Sequence, residues 1–188
     1  MSQPLRVGVA GLGTVGASAI RMIERQAGAL AARTGRSVVV TAISSRDRAK
    51  DRGFDASAMT WFDNAVDLAG SDRIDLFVEL IGGSDGVALD SVTRALETGK
   101  AVVTANKALL AKHGMALARL AEAKRVALAF EASVAGGIPI VKALREGLAG
   151  NSIRRVSGIL NGTCNYILSR MAQEKLTFDA CLADAQRL

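Results

Sequence analysis

Six residues constrain this chain more than any others. Gly11-Leu12-Gly13-Thr14-Val15-Gly16 has the spacing GxGxxG and follows directly on the apolar run Leu5 to Ala10 (LRVGVA). A short valine-rich run that stops at glycine reads as a buried parallel strand. From Val15 to about Ala32, the apolar residues Ala19, Ile20, Ile23, Ala27 and Leu30 recur in steps of three and four, which predicts a helix. Ser37 to Ser44 (SVVVTAIS) reads as a second strand, and two such strands joined by a helix require a parallel, right-handed crossover. In that context each glycine has a physical task. Gly11 permits the tight turn out of the strand, Gly13 lets a pyrophosphate approach bare backbone, and Gly16 lets helix and strand pack closely. The helix start then offers unpaired N–H groups and a positive dipole end to phosphate.

The alternation continues along the chain. Residues Asp47 to Asp63 look polar and irregular, Ala65 to Ala69 forms a short helix, and Ile74 to Ile81 (IDLFVELI) a strand. Val87 to Thr98 is a helix closed by Gly99, Ala101 to Thr104 a strand, Lys107 to Lys124 a long helix, and Val126 to Glu131 (VALAFE) another strand. The expected class is α/β, a doubly wound Rossmann-type parallel sheet followed by the start of a second α+β domain. After Glu131 the small-residue turn Ser133 to Pro139, a helix over Ile140 to Leu148, a half-exposed strand over Ile153 to Leu160 and a helix over Cys164 to Gln173 are expected. This gives an NAD(P)-binding domain over residues 1–135 and the beginning of a second domain over 136–188, the boundary falling between about Ser133 and Gly150. Thr177 can cap a last helix with Asp179 in its first turn, and its apolar face of Ala180, Leu182, Ala183 and Leu188 is unfinished, as in a truncated protein.

The formal charge of +6 raises the question of nucleic acid, but the basic residues are spread out and aromatics make up 4%. The one dense patch, Arg46, Arg48, Lys50 and Arg52, is interleaved with Asp47 and Asp51. A cofactor phosphate and anionic small substrates account for the charge, and no nucleic-acid partner is expected. No apolar run approaches the roughly 20 residues that cross a bilayer, and Met1 to Arg6 runs into a strand rather than an export signal. No membrane partner is therefore expected, and Cys164 and Cys181, too few for a disulfide framework or zinc site, fit a reducing cytoplasm as the expected location.

Beyond the glycine turn, the ends of the strands hold the candidate chemistry. The second strand closes on Ser44-Ser45-Arg46, where an enzyme strict for NAD places an acid to bind the ribose 2′-hydroxyl. Hydroxyls and a guanidinium suit a 2′-phosphate, favouring NADP over NAD; the plainer reading leaves Arg46 in a solvated charged loop. Lys107, in Thr104-Ala105-Asn106-Lys107, begins a helix whose dipole disfavours a cation there, so a nicotinamide-ribose contact, a substrate carboxylate or a proton shuttle fits it better. Glu131 ends an apolar strand as a metal ligand, a substrate contact or an ordinary strand-end carboxylate. His113, the only histidine, lies within a long helix as a surface or boundary residue. Cys164 reads as a nucleophile at a helix start or, more readily, as a small buried core residue. Trp61 and Tyr166 read as packing residues.

Several stretches together resemble homoserine dehydrogenase: Val9 to Gly16, Ser45-Arg46-Asp47-Arg48 with Lys50-Asp51-Arg52-Gly53, Glu79-Leu80-Ile81-Gly82-Gly83, Thr104 to Lys107, Glu131 to Pro139, and Gly158 to Leu168. The first is common to Rossmann proteins; the last three in this order are specific. The resemblance implies reversible NADP- or NAD-dependent oxidation of homoserine to aspartate semialdehyde, toward threonine and methionine, by a homodimer, with residues 136–188 as the beginning of its substrate and dimerisation domain. It implies that Leu12, Gly13, Thr14 and Val15 contact the pyrophosphate, Arg46 the 2′-phosphate, and Gly82, Thr104 and Lys107 the nicotinamide half. It also implies a sodium site made by Glu131 with the backbone carbonyls of Val134, Gly136 and Ile138, a set of oxygens suited to a hard cation. The family's homoserine-binding aspartate and lysine lie beyond Leu188, so cofactor binding with little turnover is expected. An aspartate semialdehyde dehydrogenase would need Cys164 as nucleophile with a histidine partner, and a non-catalytic NAD(P)-binding sensor is the other alternative.

Overall fold

The computed structural model describes residues 3–158 and 162–187 of the chain. It divides into two compact units, Met1–Lys142 and Ala143–Leu188. In the first, β1 (Leu5–Ala10), α1 (Thr14–Arg25), α2 (Ala27–Thr34) and β2 (Val38–Ser44) form the opening crossover. There follow β3 (Thr60–Phe62), α3 (Ala65–Gly70), β4 (Leu76–Glu79), α4 (Val87–Glu97), β5 (Ala101–Thr104), α5 (Lys107–Lys124), β6 (Leu128–Ala129), α6 (Glu131–Val134) and α7 (Ile140–Lys142).

The strands make one sheet in the order β3-β2-β1-β4-β5-β6, every pairing parallel. The order reverses between β1 and β4, and the carboxyl ends of the strands at such a reversal are where doubly wound sheets bind ligands. The strand ends are level there. Ala10 pairs with Ser44 on one side and Glu79 on the other, and Glu79 in turn pairs with Thr104. Apolar clusters cover the sheet: Val7, Val9, Ile20, Val40 and Ile43 belong to one, Leu68, Phe77, Leu96, Val102 and Leu109 to the other. α3 and α5 begin on asparagine caps, Asn64 accepting from Val66 N at 2.9 Å and Asn106 from Leu109 N at 3.1 Å.

The structure corrects several expectations. The polar stretch before Asp63 contains β3, a three-residue edge strand fixed by pairing Ala42, Ile43 and Ser44 with Thr60, Trp61 and Phe62. The first helix is interrupted at Gln26, where φ −99° and ψ 11° leave the helical range and separate α1 from α2. The strand expected to reach Glu131 ends at Ala129, because β5 alone pairs with it, and Glu131 opens α6 instead.

An ion pair ties together the amino-terminal ends of β1 and β4. The Arg6 side chain donates from Nε and Nη2 to Asp75 at 3.1 and 2.7 Å, and Arg6 N adds a third bond at 2.9 Å. Those bonds, from the guanidinium first, hold the Asp75 carboxyl at about 2 against an ordinary 3.8. A depressed acid stabilises the fold above its unfolded value and loses that contribution as pH falls through the folded one. Asp75→Asn is expected to cost about 1 kcal/mol at neutral pH, the pair being partly exposed. In thermal melts, the gap between parent and variant should close as pH falls from about 4 toward 2.

In the second unit a π-helical turn (Ala143–Gly147) leads to α8 (Gly162–Glu174) and α9 (Phe178–Arg187). Arg170 on α8 bonds Glu174, Tyr166 Oη and Asp184 of α9, and Ile167 and Cys181 are buried. The helix expected over Ile140 to Leu148 is thus two pieces, α7 and the π-helical turn. Residues 152–158 carry no regular structure and are exposed, so the expected strand over Ile153 to Leu160 is absent from its described part; residues 159 and 160 lie outside the described residues. Cys164 is also corrected: it is exposed in the first turn of α8, ahead of the stretch that Arg170 ties to α9.

Candidate dinucleotide-binding site

The glycine turn sorts its residues by what stands behind them. Gly11 has φ +94°, and a Cβ there would lie 2.3 Å from the Leu80 carbonyl oxygen. Gly16 is buried beneath the turn, and its Cβ would fall 1.9 Å from the Gly11 carbonyl oxygen. Gly13 differs from both. Its φ of −73° suits any residue, and a Cβ would meet nothing within 4 Å. Gly11 and Gly16 are required by the backbone packed against them, whereas Gly13 leaves open space in front of a helix N-terminus. That N-terminus has no side-chain cap and no acid in its first turn. Thr14 and Val15 are exposed, while Leu12 points into the core at 3% exposure. The backbone at Gly13, Thr14 and Val15 therefore presents N–H groups and a positive dipole end to an anion.

At the β2 end, the Arg46 guanidinium is exposed and has no hydrogen-bond or ion-pair partner among the described residues. Its neighbours are occupied. Arg48 pairs with Asp63, and Arg52 donates to Leu12 O at 3.2 Å, to Ser45 Oγ at 3.1 Å and to the Asp47 carbonyl. Both guanidiniums lie over the Trp61 ring, at 5.4 and 5.6 Å. Trp61 thus packs between the sheet and these arginines, and Arg52 ties the glycine turn to the loop that carries Arg46.

On the other side of β1, Glu79 and Thr104 meet at the ends of β4 and β5, both fully buried. Glu79 Oε2 accepts from Thr104 Oγ1 at 2.6 Å, and Oε1 accepts from Ile81 N at 2.7 Å, Gly82 N at 3.3 Å and Asn106 Nδ2 at 3.4 Å. Asn106 also donates to Gly83 O and Thr104 Oγ1, bonds that shape the loop through Gly82 and Gly83, at φ +85° and +80°. Lys107 follows, exposed, at the first position of α5. Thr104's hydroxyl is fully committed inside the protein. Glu79 is the residue that sequence reasoning missed, although an acid ending an apolar strand just before Gly82-Gly83 was a visible signal.

Glu131 caps α7: Oε1 accepts from Val141 N at 2.8 Å and Oε2 from Lys142 N at 2.9 Å. The loop between them turns at Gly137 (φ +81°) and carries Val134, Gly136 and Ile138, whose carbonyl already accepts from Ile140 N at 2.8 Å. His113 Nε2 lies 3.0 Å from Asp85 Oδ1, which Lys112 also binds, and those partners hold the Asp85 carboxyl well below the usual range. This makes His113 part of a surface ion cluster. No helix among the described residues is long and apolar enough to cross a membrane.

Comparison with known proteins agrees with this geometry. The family model described as the NAD binding domain of homoserine dehydrogenase matches residues 11–131, and the one described as homoserine dehydrogenase matches residues 139–188. The chain is 46% identical over 186 residues to a homoserine dehydrogenase of Pseudomonas aeruginosa and 44% identical to one of Mycobacterium tuberculosis, covering 99% of this chain and 42% of each relative. A solved homoserine dehydrogenase from Thiobacillus denitrificans superposes with a TM-score of 0.84 at 44% identity, over 98% of this chain and 42% of that one. A hyperthermophilic archaeal homoserine dehydrogenase solved in complex with NADPH, at 23% identity and a TM-score of 0.77, shares the fold over 98% of this chain and 61% of its own. The chain spans less than half the length of the curated relatives it matches. With a six-stranded parallel sheet, an open glycine turn and a family match that runs through both, this chain belongs to the homoserine dehydrogenase family.

Proposed function

We propose that this chain holds NADP through its glycine turn and serves the reversible oxidation of homoserine to aspartate semialdehyde, a step toward threonine and methionine. One observation carries the cofactor reading: Gly13 alone in the turn faces open space, at a helix N-terminus without a cap. The pyrophosphate then lies on Gly13, Thr14 and Val15, with Gly11 and Gly16 making the turn that presents them and Leu12 anchoring it in the core. Arg46, free of protein partners among the described residues, takes the 2′-phosphate. The opposite half of the dinucleotide crosses to the β4 and β5 ends, over Gly82, Thr104 and Lys107.

A bound nicotinamide supplies the hydride acceptor. Lys107 contributes a cation at the mouth of β5, placed to orient the cofactor ribose or the substrate hydroxyl whose proton leaves as the carbon surrenders hydride. The loop from Glu131 to Ile138 offers one carboxylate and several carbonyls to a sodium ion. Each Glu131 oxygen holds one N–H and keeps a lone pair, so the donor set fits a hard cation. The substrate-bearing protein acts as a homodimer in the cytoplasm, without nucleic-acid or membrane partners.

Titration of the chain with NADPH and NADH, followed by nicotinamide fluorescence and by melting temperature, tests this directly. NADPH should bind more tightly. Arg46→Ala should weaken NADPH about tenfold, the worth of one charged hydrogen-bonded contact, and leave NADH within about twofold. Equal losses for both cofactors would remove Arg46 from the 2′-phosphate, and absence of any response on folded material would end the dinucleotide reading.

A further inference from the structure

We propose that Glu79 is a positioning residue for the nicotinamide end of the site, setting the 81–83 loop and the start of α5 together. The inference rests on the dinucleotide reading above and names a residue that reading does not use. A carboxylate buried at 0% exposure is a costly choice for holding two strands together, because an apolar pair would do so without desolvating an acid. What the acid adds is direction.

Its partners come from separate pieces of chain. Ile81 N and Gly82 N belong to the loop after β4, Thr104 Oγ1 to the end of β5, and Asn106 Nδ2 to the cap of α5. Three of these are groups that only donate, and the Thr104 hydroxyl donates because its oxygen already accepts from Asn106 N at 3.0 Å. The site therefore demands acceptors on both Glu79 oxygens. Glu79 reaches both exposed residues of the nicotinamide half, Gly82 directly through its own N–H and Lys107 one step away, through the preceding Asn106. The same loop begins at Leu80, whose carbonyl walls the Gly11 turn, so Glu79 also fixes the nicotinamide side against the phosphate side.

Glu79→Gln tests this with nearly unchanged volume. Its amide can satisfy the loop N–H groups with oxygen, but then presents NH₂ to the Thr104 hydroxyl, leaving that hydroxyl without an acceptor. Affinities of the full chain for NADPH and for 2′-phospho-ADP-ribose, which lacks the nicotinamide, are measured side by side. The expected result is a loss of about fivefold or more for NADPH and a change within about twofold for the truncated ligand. Thr104→Val, which deletes the same contact from the other side, should reproduce that split and carries the test if Glu79→Gln does not fold. Equal losses for both ligands, or none, would overturn the proposal while leaving cofactor binding in place. A parent chain that binds neither ligand would overturn the dinucleotide reading and this inference with it.

Discussion

Gly13→Val is expected to lower NADPH affinity at least about a hundredfold, about 2.8 kcal/mol, while the melting temperature stays within about 2 °C of the parent. The two halves of that result have separate causes. Nothing in the protein lies within 4 Å of the position a Cβ would take, and φ −73° is ordinary for any residue, so the free chain has room for the side chain. The ligand does not. An isopropyl group at this position projects into the space where a pyrophosphate oxygen must come within about 3 Å of a backbone N–H. Fluorescence titration and a thermal melt on the same sample check both. A variant that still bound NADPH like the parent would mean that the phosphates lie elsewhere.

Such a clean separation was only partly legible in the sequence. The spacing of Gly11, Gly13 and Gly16 predicted three different tasks, and the structure assigns two of them to the protein's own atoms and leaves the third facing solvent. The central strands were readable because they are continuous apolar runs with a neighbour on each side; β5 and α5 fall on the expected residues, Ala101–Thr104 and Lys107–Lys124. The edges were not. β3 is three half-buried residues behind a polar loop, a strand only because β2 supplies its hydrogen bonds, and β6 shrinks to Leu128–Ala129 for want of a second neighbour. No local pattern encodes a pairing partner. Residues 153–158 make the same point in reverse, since alternation alone made no strand there.

The site shows a similar division. Arg46 and Lys107 could be picked out because a cation is conspicuous at a strand end or a helix start, and both are exposed. Glu79 could not be valued in the same way. Its importance lies in four donors converging from positions 81, 82, 104 and 106, and that convergence exists only once β4 and β5 lie side by side. Glu131 stood out as an acid after an apolar run, but the structure puts it at the start of α6, and its backbone partners at Val141 and Lys142 lie ten and eleven residues away, past the small-residue turn, where no local pattern could pair them with it.

Gly16→Ala should produce the opposite signature to Gly13→Val: a stability loss of roughly 3 kcal/mol or more, with the melting temperature falling by about 10 °C. The added Cβ would sit 1.9 Å from the Gly11 carbonyl oxygen, where carbon and oxygen ordinarily keep about 3.3 Å apart. A flexible side chain would swing away from such a contact. This oxygen is backbone, in a residue whose N–H bonds Ser44 O at 2.9 Å and whose own Cα faces the Leu80 carbonyl too closely to admit even a methyl group. Moving Gly11 one way breaks its bond to β2, and moving it the other drives it into the end of β4. Relief must come instead from displacing α1, whose Ala17 and Ile20 are buried against the sheet, so core packing is lost along with the turn. Cofactor affinity falls as well, but only as a consequence of the displaced helix start. Paired melts and titrations decide the matter: a Gly16→Ala variant that melts with the parent would show that helix and strand do not need their close approach, and the distinction between structural and ligand-facing glycines would fail.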